Sequence, residues 1–266
     1  MSGAGPGPGP DAAALFDVRG KVALVTGAGF GLGRAIAEAL ASGGARLALI
    51  DRDEAALAAA CAALRDAGAE ALALPGDVTD PGAVPAAAAS ARARWGRIDI
   101  CVANAGVSDR TGALFHEADP AEFARVQAVN LDGMVHTCRA VLGGMAAQGS
   151  GKVILVASMW GHAAPAGLSP RPAYAATKAA AVGLARELGV QYAPHGVQVN
   201  ALCPGFFRTE TRPRSPEQEA QFAAYTPAGR IAEAAEIKGA ALFLASPASD
   251  FVTGTSLVID GGVLAR

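Results

Sequence analysis

From Lys21 onward the chain alternates, almost without a break, between short apolar runs and longer alanine-rich stretches. Few architectures accept that rhythm. KVALVTG (21–27) leads to GLGRAIAEALASGG, RLALID (46–51) to DEAALAAACAALRDAG, and EALALPGD (70–77) to VPAAAASARARWG. IDICVANAG (98–106) precedes a helix predicted from about Pro120 to Gln148, and KVILVAS (152–158) precedes a helix holding YAATK. VQVNALCPG (197–205) runs into an irregular stretch and a helix near Ala234–Ala245, and SLVIDGG (256–262) closes the series. The strands are continuously apolar, as strands covered on both faces must be. Alternation of this length means right-handed crossovers and a parallel sheet with helices on both sides. The expected fold is therefore α/β: one doubly wound domain of seven parallel strands, a Rossmann fold, over residues 18–266.

What precedes it, 1–17, is rich in Gly and Pro and reads as a flexible tail. The only long irregular segments, 159–172 and 206–230, each follow the carboxyl end of a strand, where ligands bind in such sheets. No apolar run approaches the ~20 residues needed to span a bilayer. A net charge of −2 leaves no electrostatic footprint for nucleic acid. Four scattered cysteines (Cys61, Cys101, Cys138, Cys203) without a Cys-x-x-Cys pair suit reduced thiols in a cytoplasmic protein, and the four histidines lack metal-ligand spacing. The expected ligands are small molecules, with no metal.

The first strand ends in TGAGFGLG (26–33), where Gly27, Gly31 and Gly33 lead into a helix around Phe30 and Leu32. Glycines there allow a tight turn and a close approach to a pyrophosphate seated on the helix N-terminus. Asp51 closes the second strand, where its carboxylate can accept from ribose hydroxyls and repel a 2′-phosphate, so NAD is favoured over NADP. Arg52 beside it is able to accommodate such a phosphate. The bland reading of Asp51 is a helix cap, a role Asp53 can equally fill.

In RPAYAATKAA (171–180), Tyr174 and Lys178 stand four apart, on one helix face. With three tyrosines and four lysines in the chain, chance supplies such a pair about 0.05 times. An ammonium beside a phenol favours the phenolate, which can take a proton from an alcohol or return it to a carbonyl. Ser158 ends the fifth strand, where its hydroxyl can hold a substrate oxygen. Asn130, inside the long helix, can carry a water linking Lys178 to solvent. Singly, Ser158 is also a strand-end cap, Asn130 a helix-kink amide and Lys178 a solvated charge.

Taken together, TGAGFGLG, Asp77–Val78, NAG (104–106), Asn130, Ser158, YAATK, Pro204–Gly205 with Thr209, and DGG (260–262) resemble the short-chain dehydrogenase/reductase family from about Lys21 to Gly262. TPAGR and the FDVRGKVALVTGAG opening are similar to its gluconate and polyol dehydrogenase branch. The resemblance implies that Ser158, Tyr174 and Lys178 carry catalysis, that Asn130 completes a proton relay, and that Lys178 also bonds the nicotinamide ribose. It further implies that Asp77 and Val78 flank adenine and that Asn104, Ala105 and Gly106 line the cofactor cleft. Pro204, Gly205, Phe207 and Thr209 would meet the nicotinamide end. It also implies a homo-oligomer, a dimer or tetramer. The Ser158–Tyr174 interval of sixteen positions is longer than the family's commonest.

The segment 206–230 carries Arg208, Arg212, Arg214 and Arg230, with Arg171 in the other loop. Arginines that grip oxyanions suit a sugar acid, polyol or other polar substrate, while Trp160 and Phe206 supply an apolar wall. The same charges read equally as solvated loop residues. Around Ser158 the sequence LVASMWG lacks the glycines of a hydrolase nucleophile elbow. The alternatives carried forward are an NADPH-dependent 3-oxoacyl reductase, a dehydrogenase of a less polar alcohol, and a non-catalytic NAD-binding sensor.

Overall fold

The computed structural model describes residues 11–110, 112–165, 167–168, 170–210 and 214–266. Seven strands form one parallel sheet: β1 (Val22–Thr26), β2 (Arg46–Asp51), β3 (Ala71–Pro75), β4 (Ile100–Ala103), β5 (Gly151–Val156), β6 (Val197–Pro204) and β9 (Ser256–Ile259), in the order β3-β2-β1-β4-β5-β6-β9. The strand order reverses between β1 and β4. The crevice at their carboxyl ends is the place where such a sheet accepts a ligand.

Side-chain alternation divides the core between the two faces. Val22 and Leu24 of β1 pack with α3 (Ala83–Trp95), α5 (Gly133–Gln148) and α6 (Pro172–Tyr192). Ala23 and Val25 face α1 (Gly31–Ser42), α2 (Glu54–Asp66) and α8 (Lys238–Ala245). Leu24, Leu47, Leu49, Ile50 and Ile154 are fully buried, and each such side chain contributes about 1.5–3 kcal/mol of transfer free energy. All four cysteines are free and buried.

Three expectations are corrected. The predicted helix 120–148 is not continuous: α4 (Pro120–Gln127) passes through a π turn, Ala128–Asp132, before α5 begins. The stretch 234–245 opens as a 3₁₀ turn, Ala234–Ile237, before α8. The segment 206–230 holds a helix, α7 (Pro216–Tyr225), started by Ser215. The Ser215 hydroxyl accepts from the Gln218 N–H while the Gln218 side chain accepts from the Ser215 N–H. Two short strands, β7 (Phe207–Arg208) and β8 (Ala232–Glu233), pair at the base of this segment. Of the expected tail, residues 1–10 lie outside the described residues, and Ala14–Phe16 form a 3₁₀ turn.

Candidate active site

The turn after β1 needs glycine for two separate reasons. Gly27 and Gly31 have φ of 65° and 52°, the left-handed region that other residues avoid. Gly33 is needed for space: a Cβ there would fall 2.0 Å from the Gly27 carbonyl oxygen. Phe30 precedes α1 in extended conformation, and the helix starts with neither a side-chain cap nor an acidic residue in its first turn. Its leading N–H groups and dipole therefore face outward toward an anion.

Asn104 ties this turn to β4. Its Nδ2 donates to the carbonyls of Thr26 and Gly27, both at 3.0 Å, while the N–H groups of Asn104 and Ala105 donate to Thr26 Oγ1. Thr26, unremarked in the sequence, is thus the second half of the fastening. Asp51 adds a third point: its Oδ2 accepts from Gly29 N–H at 2.9 Å and its Oδ1 from Asp53 N–H at 3.0 Å. Asp53, not Asp51, caps α2 through Ala56 N–H. The Asp51 carboxylate therefore stands at the rim of the glycine turn, with the exposed Arg52 beside it. Asp77 turns its Oδ1 to Thr79, while buried Val78 packs so close to Gly133 that a Cβ there would lie 2.6 Å from it.

Lys178 is 3% exposed. Its Nζ donates to the Val156 carbonyl at 2.7 Å and sits 5.6 Å from the centre of the Tyr174 ring. A Cβ on Gly106 would lie 3.4 Å from both this Nζ and Asn130 Oδ1, so the NAG segment, Lys178 and Asn130 converge on one spot. Asn130 lies in the π turn and is fully buried. Its Oδ1 accepts from Val107 N–H at 2.7 Å, and its Nδ2 donates to Val107 O and to Thr177 Oγ1. The amide thereby braces the loop after β4 against α6. Ser158 is buried and caps the turn Met159–Gly161, its Oγ accepting from Trp160 N–H at 3.2 Å. The hydroxyl proton is not consumed by that bond, since a hydroxyl both donates and accepts.

Tyr174 packs against a small cluster of Met159, Trp160 and Val263, which Leu168, Phe206, Tyr225 and Leu264 also flank. An adjoining cavity of about 300 Å³ is lined by Trp160, His162, Tyr225, Leu264 and Arg266 among others. Phe206 stacks on Phe222 of α7 at 4.4 Å and meets Trp160 edge-on. Gly205 N–H donates to Ile259 O, and Asp260 turns the chain back through Gly262 N–H and Leu264 N–H, which brings Val263 onto Trp160. Phe207 is buried and Thr209 half-buried beyond Pro204.

The described arginines of 206–230 have partners within the chain. Arg208 pairs with Glu219 and Glu233 across α7 and β8. Arg230 pairs with Glu236, and Arg214 donates to Phe207 O. Arg212 lies outside the described residues. Burial pushes the Cys203 thiol up, next to His162 at 3.7 Å. Among the described residues no cluster of His, Cys, Asp and Glu can hold a metal ion, and no helix is long and apolar enough to cross a membrane.

A glycine turn on an uncapped helix at the sheet's reversal point, followed by a phenol–ammonium pair, defines a nicotinamide-nucleotide oxidoreductase. The chain belongs to the short-chain dehydrogenase/reductase family, in its gluconate and polyol dehydrogenase branch. The family model described as enoyl-(acyl carrier protein) reductase matches residues 27–264. Galactitol 2-dehydrogenase (L-tagatose-forming) of Cereibacter sphaeroides is 43% identical over 93% of this chain and 96% of its own. A short-chain type dehydrogenase/reductase from Mycobacterium marinum superposes with a TM-score of 0.91 at 35% identity, over 96% of this chain and all of that one. Gluconate 5-dehydrogenase from Burkholderia cenocepacia, solved with NADP and tartrate, gives 0.89 at 37% over 96% and 100%.

Proposed function

We propose that this chain oxidises a secondary alcohol of a polyol to the ketone with NAD⁺, Tyr174 acting as general base and, in reverse, as general acid. The observation that carries this is the buried Lys178 ammonium, fixed on Val156 O and set beside the Tyr174 ring at the carboxyl end of the sheet. A cation so placed stabilises a phenolate. Ser158 donates its free proton to the substrate oxygen. Asn130 holds Gly106–Val107 against Lys178. The residues of the glycine turn, with Asp51, fit a dinucleotide, which when bound supplies the hydride acceptor. Asp51 accepts from the adenosine ribose, and its charge opposes a 2′-phosphate. Arg52 is the group through which NADP would compete, and a gluconate 5-dehydrogenase similar to this chain is solved with NADP.

A neutral polyol is preferred here to a sugar acid because Arg208, Arg214 and Arg230 are all engaged within the lid. The aromatic wall of Trp160, Phe206 and Tyr225 suits the C–H face of such a substrate, and the galactitol dehydrogenase relative points the same way. A homo-oligomer is supported by the exposed Val190, Phe251 and Val258, the last on the edge strand β9.

The test is NAD⁺ reduction, followed in the near-ultraviolet, over polyols, gluconate and other sugar acids, simple secondary alcohols and a 3-hydroxyacyl thioester, each repeated with NADP⁺. Galactitol or a related polyol should turn over with NAD⁺, and Tyr174→Phe should lower kcat by about 10²–10⁴-fold while cofactor binding persists. Undiminished turnover by that variant would sink the catalytic assignment. Cofactor binding without turnover of any alcohol would favour a sensor.

A further inference from the structure

The catalytic helix begins without a cap of its own. Arg171 occupies the N-cap position of α6 with φ −147°, ψ 66° and gives the helix no side-chain cap bond, and Pro172 has no N–H to give. The first donors of the helix are therefore the N–H groups of Ala173 and Tyr174. Both are taken by one carboxylate far away in sequence: Asp109 Oδ1 accepts from Ala173 at 3.2 Å and Asp109 Oδ2 from Tyr174 at 2.9 Å. Asp109 is 6% exposed. Arg171 returns the grip, its Nη1 donating to Ser108 Oγ at 3.0 Å and to the Asp109 carbonyl at 2.6 Å.

The segment Val107–Arg110 that carries Asp109 is itself fixed at both ends. Asn130 holds both polar backbone groups of Val107. Arg125 donates to Ser108 O at 2.8 Å, and Glu122 accepts from Arg110 N–H at 2.6 Å. Four residues running on from Asn104–Gly106 at the cofactor cleft thus end as the cap of the helix that presents the phenol.

We propose that Asp109 is a positioning residue for Tyr174, fixing the start of the helix that presents the phenol to the cofactor cleft. This rests on the reading of Tyr174 as the acid–base group. The carboxylate occupies the positive end of the helix dipole, where an anion is favoured. Its two oxygens serve two N–H groups, so Asp109→Asn keeps an acceptor for one of them, whereas Asp109→Ala keeps none.

With an alcohol that the wild type oxidises and NAD⁺, Asp109→Ala should lower kcat roughly 10–100-fold with the KM for NAD⁺ within about threefold, and Asp109→Asn should recover part of that loss. A kcat within about twofold of wild type in Asp109→Ala, or a loss that falls on the KM for NAD⁺ instead, overturns the proposal, because a merely structural cap would lower the melting temperature and leave the turnover of the folded enzyme unchanged. If Asp109→Ala does not fold, Asp109→Asn decides: its kcat should fall at least about threefold at an unchanged KM for NAD⁺, and wild-type turnover refutes the positioning role. A wild type that oxidises no alcohol sinks the catalytic reading and this one with it, whereas a wild type and an Asp109→Ala that turn over alike sink this one alone.

Discussion

Replacing Gly33 by alanine tests how tightly the cofactor turn is built. The added Cβ would stand 2.0 Å from Gly27 O and 2.3 Å from Asn104 Nδ2, where ordinary contacts stay beyond 3.0 Å. Neither neighbour can yield locally. Gly27 is held in a left-handed conformation, and the Asn104 amide is bonded at 3.0 Å to Thr26 O and Gly27 O. The start of α1 must therefore move by about an ångström, or Asn104 must release its bonds. Overpacking of this kind costs about 1–3 kcal/mol, and an amide left unsatisfied adds about 1–3 kcal/mol. With a melting temperature shift of about 2–4 °C per kcal/mol in a domain of this size, the variant should melt roughly 5–15 °C below wild type. Its NAD affinity should fall at least about tenfold, because the displaced atoms are those that face the pyrophosphate. Gly29→Ala is the control: its Cβ meets Asp51 Oδ2 at 3.0 Å and Ala56 Cβ at 3.1 Å, contacts that small shifts relieve. Circular dichroism melts and calorimetric NAD titrations of both variants supply the comparison. Should Gly33→Ala melt within about 2 °C of wild type, the reasoning from steric closure is wrong.

Asp51→Asn removes the charge and keeps an acceptor for only one of the Gly29 and Asp53 N–H groups, so the ratio of kcat/KM for NAD⁺ over NADP⁺ should fall about tenfold, or ~1.4 kcal/mol; an unchanged ratio would count against the ribose reading. The thiols should be inert in the native chain: burial pushes Cys138 up to about 12 and Cys101 well above the ordinary thiol range, so an aromatic disulfide reagent at pH 8 should titrate all four only after denaturation. Rapid native labelling of either residue would refute it. The hydrogen bonds from Arg125 hold the Glu122 carboxyl at about 2, below its ordinary 4.5. A lowered carboxylate stabilises the fold above its unfolded value and loses that contribution as pH falls, so the melting-temperature gap between wild type and Glu122→Gln should close between pH 4.5 and about 2. A gap that stays constant over that range would exclude the linkage.

Strand positions and the glycine turn were legible because they are written in contiguous residues: an apolar run, then glycines at a fixed interval. The Tyr174–Lys178 pair was legible for the same reason, since four residues on a helix always share a face. Asp109 was not, because its partners are 64 and 65 residues away and nothing local marks a carboxylate as the cap of a remote helix. The arginines of 206–230 were open to two readings. Their charges are visible in the chain, but that Glu219 and Glu233 take Arg208, or Glu236 takes Arg230, depends on how α7 and β8 fold back. Helix α7 did carry a local signal, Ser215-Pro216-Glu217-Gln218, which is the spacing of a capping box. Asn130 shows the limit plainly: a single asparagine in a helical pattern said that something interrupts the helix, and only the packing says that Val107 and Thr177 share its amide.

The π turn at Ala128–Asp132 also acts as a phase shifter. A wider turn of this kind accommodates one residue more than the α-helix would, and each residue rotates the outward direction by about 100°. Upstream of it α4 looks toward α6, and downstream α5 looks toward α3 and the sheet. Deleting one residue from the turn would restore a regular helix and, in the same stroke, rotate Met134, Cys138, Val141 and Met145 out of the core they fill. A local irregularity sixteen residues from the end of its helix thereby decides which side of that whole helix is inside.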